Sequence, residues 1–71
     1  MDGLSSRKVA QKLGVSHGTI ARWINKHSGR LEEVGILTIR RTGLRRGLRI
    51  TSLERFVVFM REQGVTIEYS D

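Results

Sequence analysis

Apolar residues first recur at helical spacing between Ser5 and Leu13, where Val9, Ala10 and Leu13 share one face. Ser5 stands where an N-cap belongs, Leu4 and Val9 have the spacing of a hydrophobic staple around it, and Gly14 closes the helix. The device repeats at once. Ser16 caps a second helix, Val15 and Ile20 staple it, and Ile20, Trp23 and Ile24, with Ala21 at the margin, form an apolar face running to about His27. Only Gly14 and Val15 intervene, so the two helices, about residues 5–27, must turn sharply against each other. From Gly29 to Gly35 the pattern lapses, and Leu31 and Val34 fit either one helical turn or a loop tucked on the core.

Over residues 36–51 the period drops to two. Leu37 and Ile39 alternate with Thr38 and Arg40, and Leu48 and Ile50 with Arg49 and Thr51. This predicts two half-buried strands joined through a tip at Gly43 to Gly47. A third helix over about 52–63 follows from Leu53, Phe56, Val57 and Met60 on one face, with Gly64 after it. Thr51 and Glu54 have capping-box spacing, and Ser52 is the other candidate cap. Residues 65–69 alternate as an edge strand would. The expected fold is α+β, a single domain over residues 1–71.

Length and charge narrow what such a domain does. Seventy-one residues build one thin core, which leaves little room for a buried active site. The chain lacks cysteine, so a disulfide framework and a Cys-based zinc site are excluded. His17 and His27 are the only histidines, short of the three or four ligands that a metal needs, and no cofactor is expected. Nothing in the chain gives a nucleophile elbow or an acid pair with a pocket, so an enzyme is not expected. No apolar run approaches the roughly 18 residues of a membrane span, and Met1 to Leu4 lack the order of a signal peptide. A soluble cytoplasmic, nucleoid-associated protein is the expectation. Thirteen Lys and Arg against seven Asp and Glu give +6, and ten of the thirteen are Arg. Residues 1–28 carry +4, residues 29–51 carry +4 and residues 52–71 carry −2, so the charge favours a polyanionic partner over the first two thirds.

The stretch Ser6 to Asn25 (SRKVAQKLGVSHGTIARWIN) resembles a helix-turn-helix DNA-binding unit. A small residue, Ala10, sits where the second helix crosses the first, Gly14 makes the turn, and Val15, Ile20 and Trp23 supply the apolar positions that follow. The resemblance implies that the second helix enters the major groove with its N-terminal residues leading. Its exposed candidates are Ser16, His17, Gly18, Thr19, Arg22 and Lys26. Arg22 is the best base reader, because a guanidinium donates two parallel bonds to guanine O6 and N7. His17 and Thr19 are weaker candidates, and Ser16 at the helix start suits a phosphate. Gly18, a poor helix former, suggests a close approach of backbone to DNA.

A helix-turn-helix followed by a hairpin resembles a winged helix, and this order, covering about residues 4–63, is similar to MerR-like and phage excisionase-type domains and to Rha-type phage regulators. It lacks the long C-terminal dimerisation helix of the MerR pattern. Arg40, Arg41, Arg45, Arg46 and Arg49 put five cations in ten residues with no acid among them. The resemblance makes Arg45 and Arg46 wing-tip residues for a minor groove, with Arg40, Arg41 and Arg49 on phosphates. Lys8, Lys12 and Lys26 add phosphate contacts. Double-stranded DNA is thus the expected partner, bound by a transcriptional regulator or an excisionase-like architectural factor. One module spans only a short half-site, so a homodimer, cooperative assembly on DNA or a larger parent protein is expected as well. A protein-interaction winged helix and a nonspecific RNA or single-strand binder are the rival readings. Trp23 is expected in the core, not stacked on a base. Val58 and Phe59 beside Tyr69 form a second face of the third helix, either a partner or self-association surface or packing for the tail.

Overall fold

One local grammar starts and stops every helix of the chain. The computed structural model describes residues 3–42 and 45–69. Helices α1 (Ser6–Leu13) and α2 (His17–Glu33) precede a hairpin of β1 (Leu37–Thr42) and β2 (Arg45–Ile50), and α3 (Leu53–Glu62) follows it. Each helix begins on a serine whose hydroxyl accepts a backbone N–H three residues on: Ser5 from Lys8 at 3.2 Å, Ser16 from Thr19 at 3.2 Å, Ser52 from Arg55 at 3.3 Å. Each ends at a glycine of positive φ followed by an apolar residue, Gly14–Val15, Gly35–Ile36 and Gly64–Val65. At all three ends the glycine N–H bonds the carbonyl three residues back and the next N–H reaches five back, to Ala10, Leu31 and Met60. This paired closure satisfies carbonyls that the helix leaves without partners.

Helix α2 does not stop near His27. His27 is kinked, at φ −117° and ψ 18°, yet the helix resumes and runs to Glu33. The segment from Gly29 to Gly35 is therefore mostly helix. Leu31 decides it: the side chain is fully buried with Ile20 and Ile24, on the same face by spacing. Burying a leucine gains about 1.5–3 kcal/mol, which outweighs the roughly 1 kcal/mol that a helical Gly29 costs.

Ladder pairs Leu37–Ile50 and Ile39–Leu48 give the antiparallel hairpin its core side. Strand β2 already begins at Arg45, so Gly47 is a strand residue opposite Arg40 instead of part of the tip. Gly43 lies outside the described residues, as do the side chains of residues 41–46. An unforeseen contact ties the chain's start to the hairpin. Leu4 and Ile50 exchange backbone hydrogen bonds of 2.8 and 2.7 Å, forming an isolated bridge on the edge of β2 away from β1. Gly3 makes it possible, since its φ is +74° and a Cβ there would stand 2.7 Å from the Ile50 carbonyl oxygen.

The core joins Val9, Ala10 and Leu13 of α1 to Ile20, Ile24 and Leu31 of α2, Leu37 and Ile50 of the hairpin, and Phe56, Val57 and Met60 of α3. Trp23 packs on it half-buried. Of the two candidate caps for α3, Ser52 serves. Thr51 Oγ1 instead donates to the Gly35 carbonyl at 2.6 Å, and Arg55 Nη2 donates to the Val34 carbonyl at 2.8 Å, so the start of α3 is stitched to the end of α2. Residues 65–69 form no strand. Ile67 is buried, and Arg61 holds its carbonyl through Nε at 3.2 Å and Nη2 at 2.7 Å. With Ile50 already bridged by Leu4, the tail is held by a side chain in place of a ladder. Phe59 is buried as well, and His27 is half-buried against it, their ring centroids 5.7 Å apart in an edge-on contact. Among the described residues, no helix is long and apolar enough to cross a membrane.

Candidate nucleic-acid interface

The site is built on the part of α2 before the kink. Ile20 and Ile24 fix this segment's inner face, and the outer stripe then falls on Gly18, Arg22, Asn25 and Lys26, all exposed. Arg22 and Lys26 are one helical turn apart and make no hydrogen bond or ion pair with the other described residues. Two uncompensated cations on one stripe repel each other, and an anion relieves that repulsion. Asn25 shares the stripe and was missed by sequence reasoning. Its place three residues after Arg22 was the available signal, and an asparagine amide pairs well with an adenine edge.

The other candidates on α2 are engaged within the protein. Ser16 Oγ caps the helix and lies 2.7 Å from Thr19 Oγ1, which makes a small hydroxyl cluster at the helix start. His17 is turned away from the stripe toward α1, where its Nε2 sits 2.9 Å from Ser6 Oγ. Ser6, absent from the sequence-based candidates, thus positions His17 and links the first turns of the two helices. Gly18 has open space around it: a Cβ there would meet nothing within 4 Å. Packing does not require glycine at this position.

Ala10 is buried, and Gly14 adopts φ 69° and ψ 28° in the turn. On the hairpin, Arg40 is exposed opposite Gly47, so no cross-strand side chain crowds it. Arg49 is exposed too, with Nη1 folded onto the Leu48 carbonyl at 3.1 Å. These two lie on the solvent face as diagonal neighbours, since the register opposes Arg49 to Thr38 and Gly47 to Arg40. The backbones of Arg41, Arg45 and Arg46 are in the ladder, with Arg41 opposite Arg46 and Thr42 opposite Arg45. The backbones of Arg45 and Arg46 are thus paired strand and Gly47 is a ladder residue instead of a turn glycine, while Gly43 and the side chains of both arginines lie outside the described residues. The architecture is a small α+β arrangement compatible with a winged helix. No protein-family model, curated protein or solved structure matches this chain.

Proposed function

We propose that this chain binds double-stranded DNA sequence-specifically as a winged helix-turn-helix, with the first part of α2 in the major groove and the hairpin along the backbone or in the adjacent minor groove. The observation that carries this reading is the outer stripe of α2. Gly18, Arg22, Asn25 and Lys26 face solvent without internal partners, behind a tight Gly14 turn and ahead of an arginine-rich hairpin. Arg22 and Asn25 read base edges, while Ser16, Lys26, Arg40 and Arg49 contact phosphates. His17, tethered to Ser6, has Nδ1 left to offer. Arg41, Arg45 and Arg46 supply further charge from the hairpin end. The element order and the Ala10–Gly14 crossing support membership of the MerR-like and excisionase-type group, acting in transcription or as an architectural factor.

The test is fluorescence anisotropy with a randomised duplex pool, a single strand and an RNA hairpin from low to physiological salt, followed by sequencing of the retained duplexes. Duplex preference, steep salt dependence and an enriched short motif are expected. Equal binding to all three nucleic acids reduces the reading to nonspecific charge. Absence of binding at low salt overturns it in favour of a protein partner on the same stripe.

A further inference from the structure

The two edges of the hairpin are finished differently. The Thr51 N–H bonds the Ile36 carbonyl at 2.8 Å, so bonds between the strands recur at every second residue from there. The backbone groups of Leu37, Ile39 and Arg41 on β1, like those of Ile50 and Leu48 on β2, therefore point out of the hairpin. On β2 they are already used: Leu4 takes both groups of Ile50, and Arg49 Nη1 lies on the Leu48 carbonyl at 3.1 Å. On β1, Leu37 is buried, and among the described residues no other strand or backbone group bonds Ile39 or Arg41. The open edge is thus the N–H and C=O of these two residues. Between them, Arg40 is exposed on the solvent face, with Gly47 across the ladder and no hydrogen bond or ion pair to the other described residues. Arg49 shares that face and bonds a carbonyl, which leaves its charge uncompensated. On the other face Ile39 pairs with Leu48, and both stay half-buried. Residues 36–51 hold five arginines and no acid.

Register decides between occupants. A second copy meeting this edge about a two-fold axis uses the open groups of both when Ile39 of one faces Arg41 of the other. Arg40 then stands opposite the same residue of the other copy, in the close pair of an antiparallel ladder with Cα atoms about 4.5 Å apart. Like charges there disfavour self-pairing, as they do on many natural sheet edges. An acid at the same place is attracted instead. We propose that the edge from Ile39 to Arg41 takes up an extended acidic segment of another protein as an added strand. An Asp or Glu of the segment lies opposite Arg40, and the residues on either side of it are apolar, one of them covering Ile39. Main-chain bonds hold the segment, and its alternation gives specificity. A nucleic-acid phosphate satisfies Arg40 but donates no hydrogen bond, so it leaves the outward carbonyls unmatched. This docking does not depend on DNA binding; where Arg40 also contacts duplex, segment and duplex exclude each other.

The experiment is nitrogen-15 NMR titration of the full chain, without DNA, with a capped heptapeptide alternating Val and Glu. The expected result is shifted amides at Ile39, Arg40 and Arg41, with slowed hydrogen exchange at Ile39 and Arg41. N-methylation of the valines, whose N–H groups face β1, should abolish the shifts, and N-methylation of the glutamates should leave them. Affinity should fall about tenfold in the Arg40→Glu variant, where an attraction becomes a repulsion. Arg40 is exposed and faces a glycine, so the variant is expected to fold, and an unchanged amide spectrum outside the hairpin checks it. Absence of shifts, shifts confined to the α2 stripe, indifference to N-methylation, or equal binding of a heptapeptide of the same composition with its glutamates adjacent overturns the proposal. Concentration-dependent shifts of Ile39 and Arg41 without peptide also overturn it, naming a second copy as the occupant. Hairpin shifts with a DNA duplex and none with the peptide overturn it while leaving the DNA reading intact, whereas shifts with the peptide and none with duplex support it alone.

Discussion

The two parts of α2 on either side of His27 are one helix by hydrogen bonding and two surfaces by chemistry. Before the kink, every large apolar side chain is turned inward and the outer stripe is cationic, with Arg22 and Lys26 held clear of internal partners. After it, one apolar residue, Leu31, anchors the helix, and the outer positions end in Glu32 and Glu33 before Val34 opens into a groove beside α3. The break in helical geometry at His27 separates these two surfaces along one continuous element. It also makes the second part depend on a single buried side chain, whereas the first has Ile20, Ile24 and the half-buried Trp23.

The largest way to break this comparison is to remove that anchor. Leu31→Ala should cost about 2–5 kcal/mol of unfolding free energy, measured by urea titration, because the side chain is fully buried. A loss under about 1 kcal/mol would mean that residues 28–33 are a loosely attached linker after all. Next in size is an effect on binding alone. Arg22→Ala should weaken the preferred duplex by about 1–3 kcal/mol while barely changing affinity for random duplex, since a base contact discriminates and a phosphate contact does not. Equal weakening on all duplexes would move Arg22 from base to backbone.

A smaller effect tests the shared grammar of the helix ends. Gly35→Ala and Gly14→Ala should each cost about 1 kcal/mol, because both glycines hold a positive φ while a Cβ at either meets open space. If Gly35→Ala were neutral in thermal unfolding while Gly14→Ala were not, the end of α2 would lack the closure in which the Gly35 N–H bonds the Glu32 carbonyl and the Ile36 N–H bonds that of Leu31.

That closure bears on what the sequence made legible. The first two helix starts, the Gly14 turn, the core ends of the strands and α3 could all be placed from apolar spacing, with capping serines in agreement at the first two helices, whereas the start of β2 at Arg45 could not. The second part of α2 could not, because Ser28 and Gly29 are poor helix formers and only Leu31 speaks for burial. A signal was nonetheless present: Gly35–Ile36 repeats the glycine-then-apolar ending of Gly14–Val15 and Gly64–Val65. The Leu4–Ile50 bridge was illegible because one residue gives no period. The tail misled for the opposite reason, since the alternation of Val65, Ile67 and Tyr69 fits a strand while the observed partner is the Arg61 guanidinium. At the candidate site, Arg22 and Lys26 followed from the helix period, but the tether between His17 and Ser6 depends on how α1 and α2 cross. No spacing within either helix reports that distance.

The finest test sets two glycines against each other. Gly18 lies before the kink and Gly29 after it, both are helical and exposed, and a Cβ at either meets nothing within 4 Å. Alanine at either position should stabilise the fold by about 0.5 kcal/mol, since it restricts the unfolded chain and fits the helix without strain. Stability alone therefore gives no reason for Gly18. If DNA backbone approaches the start of α2, a methyl group there obstructs it, and Gly18→Ala should bind duplex more weakly although it melts higher. Gly29→Ala should melt higher with binding unchanged. Opposite signs for stability and affinity at Gly18 alone would place the DNA contact on the first part of α2, whereas matched behaviour of the two variants would remove Gly18 from the interface and leave Arg22 and Lys26 to carry it from longer reach.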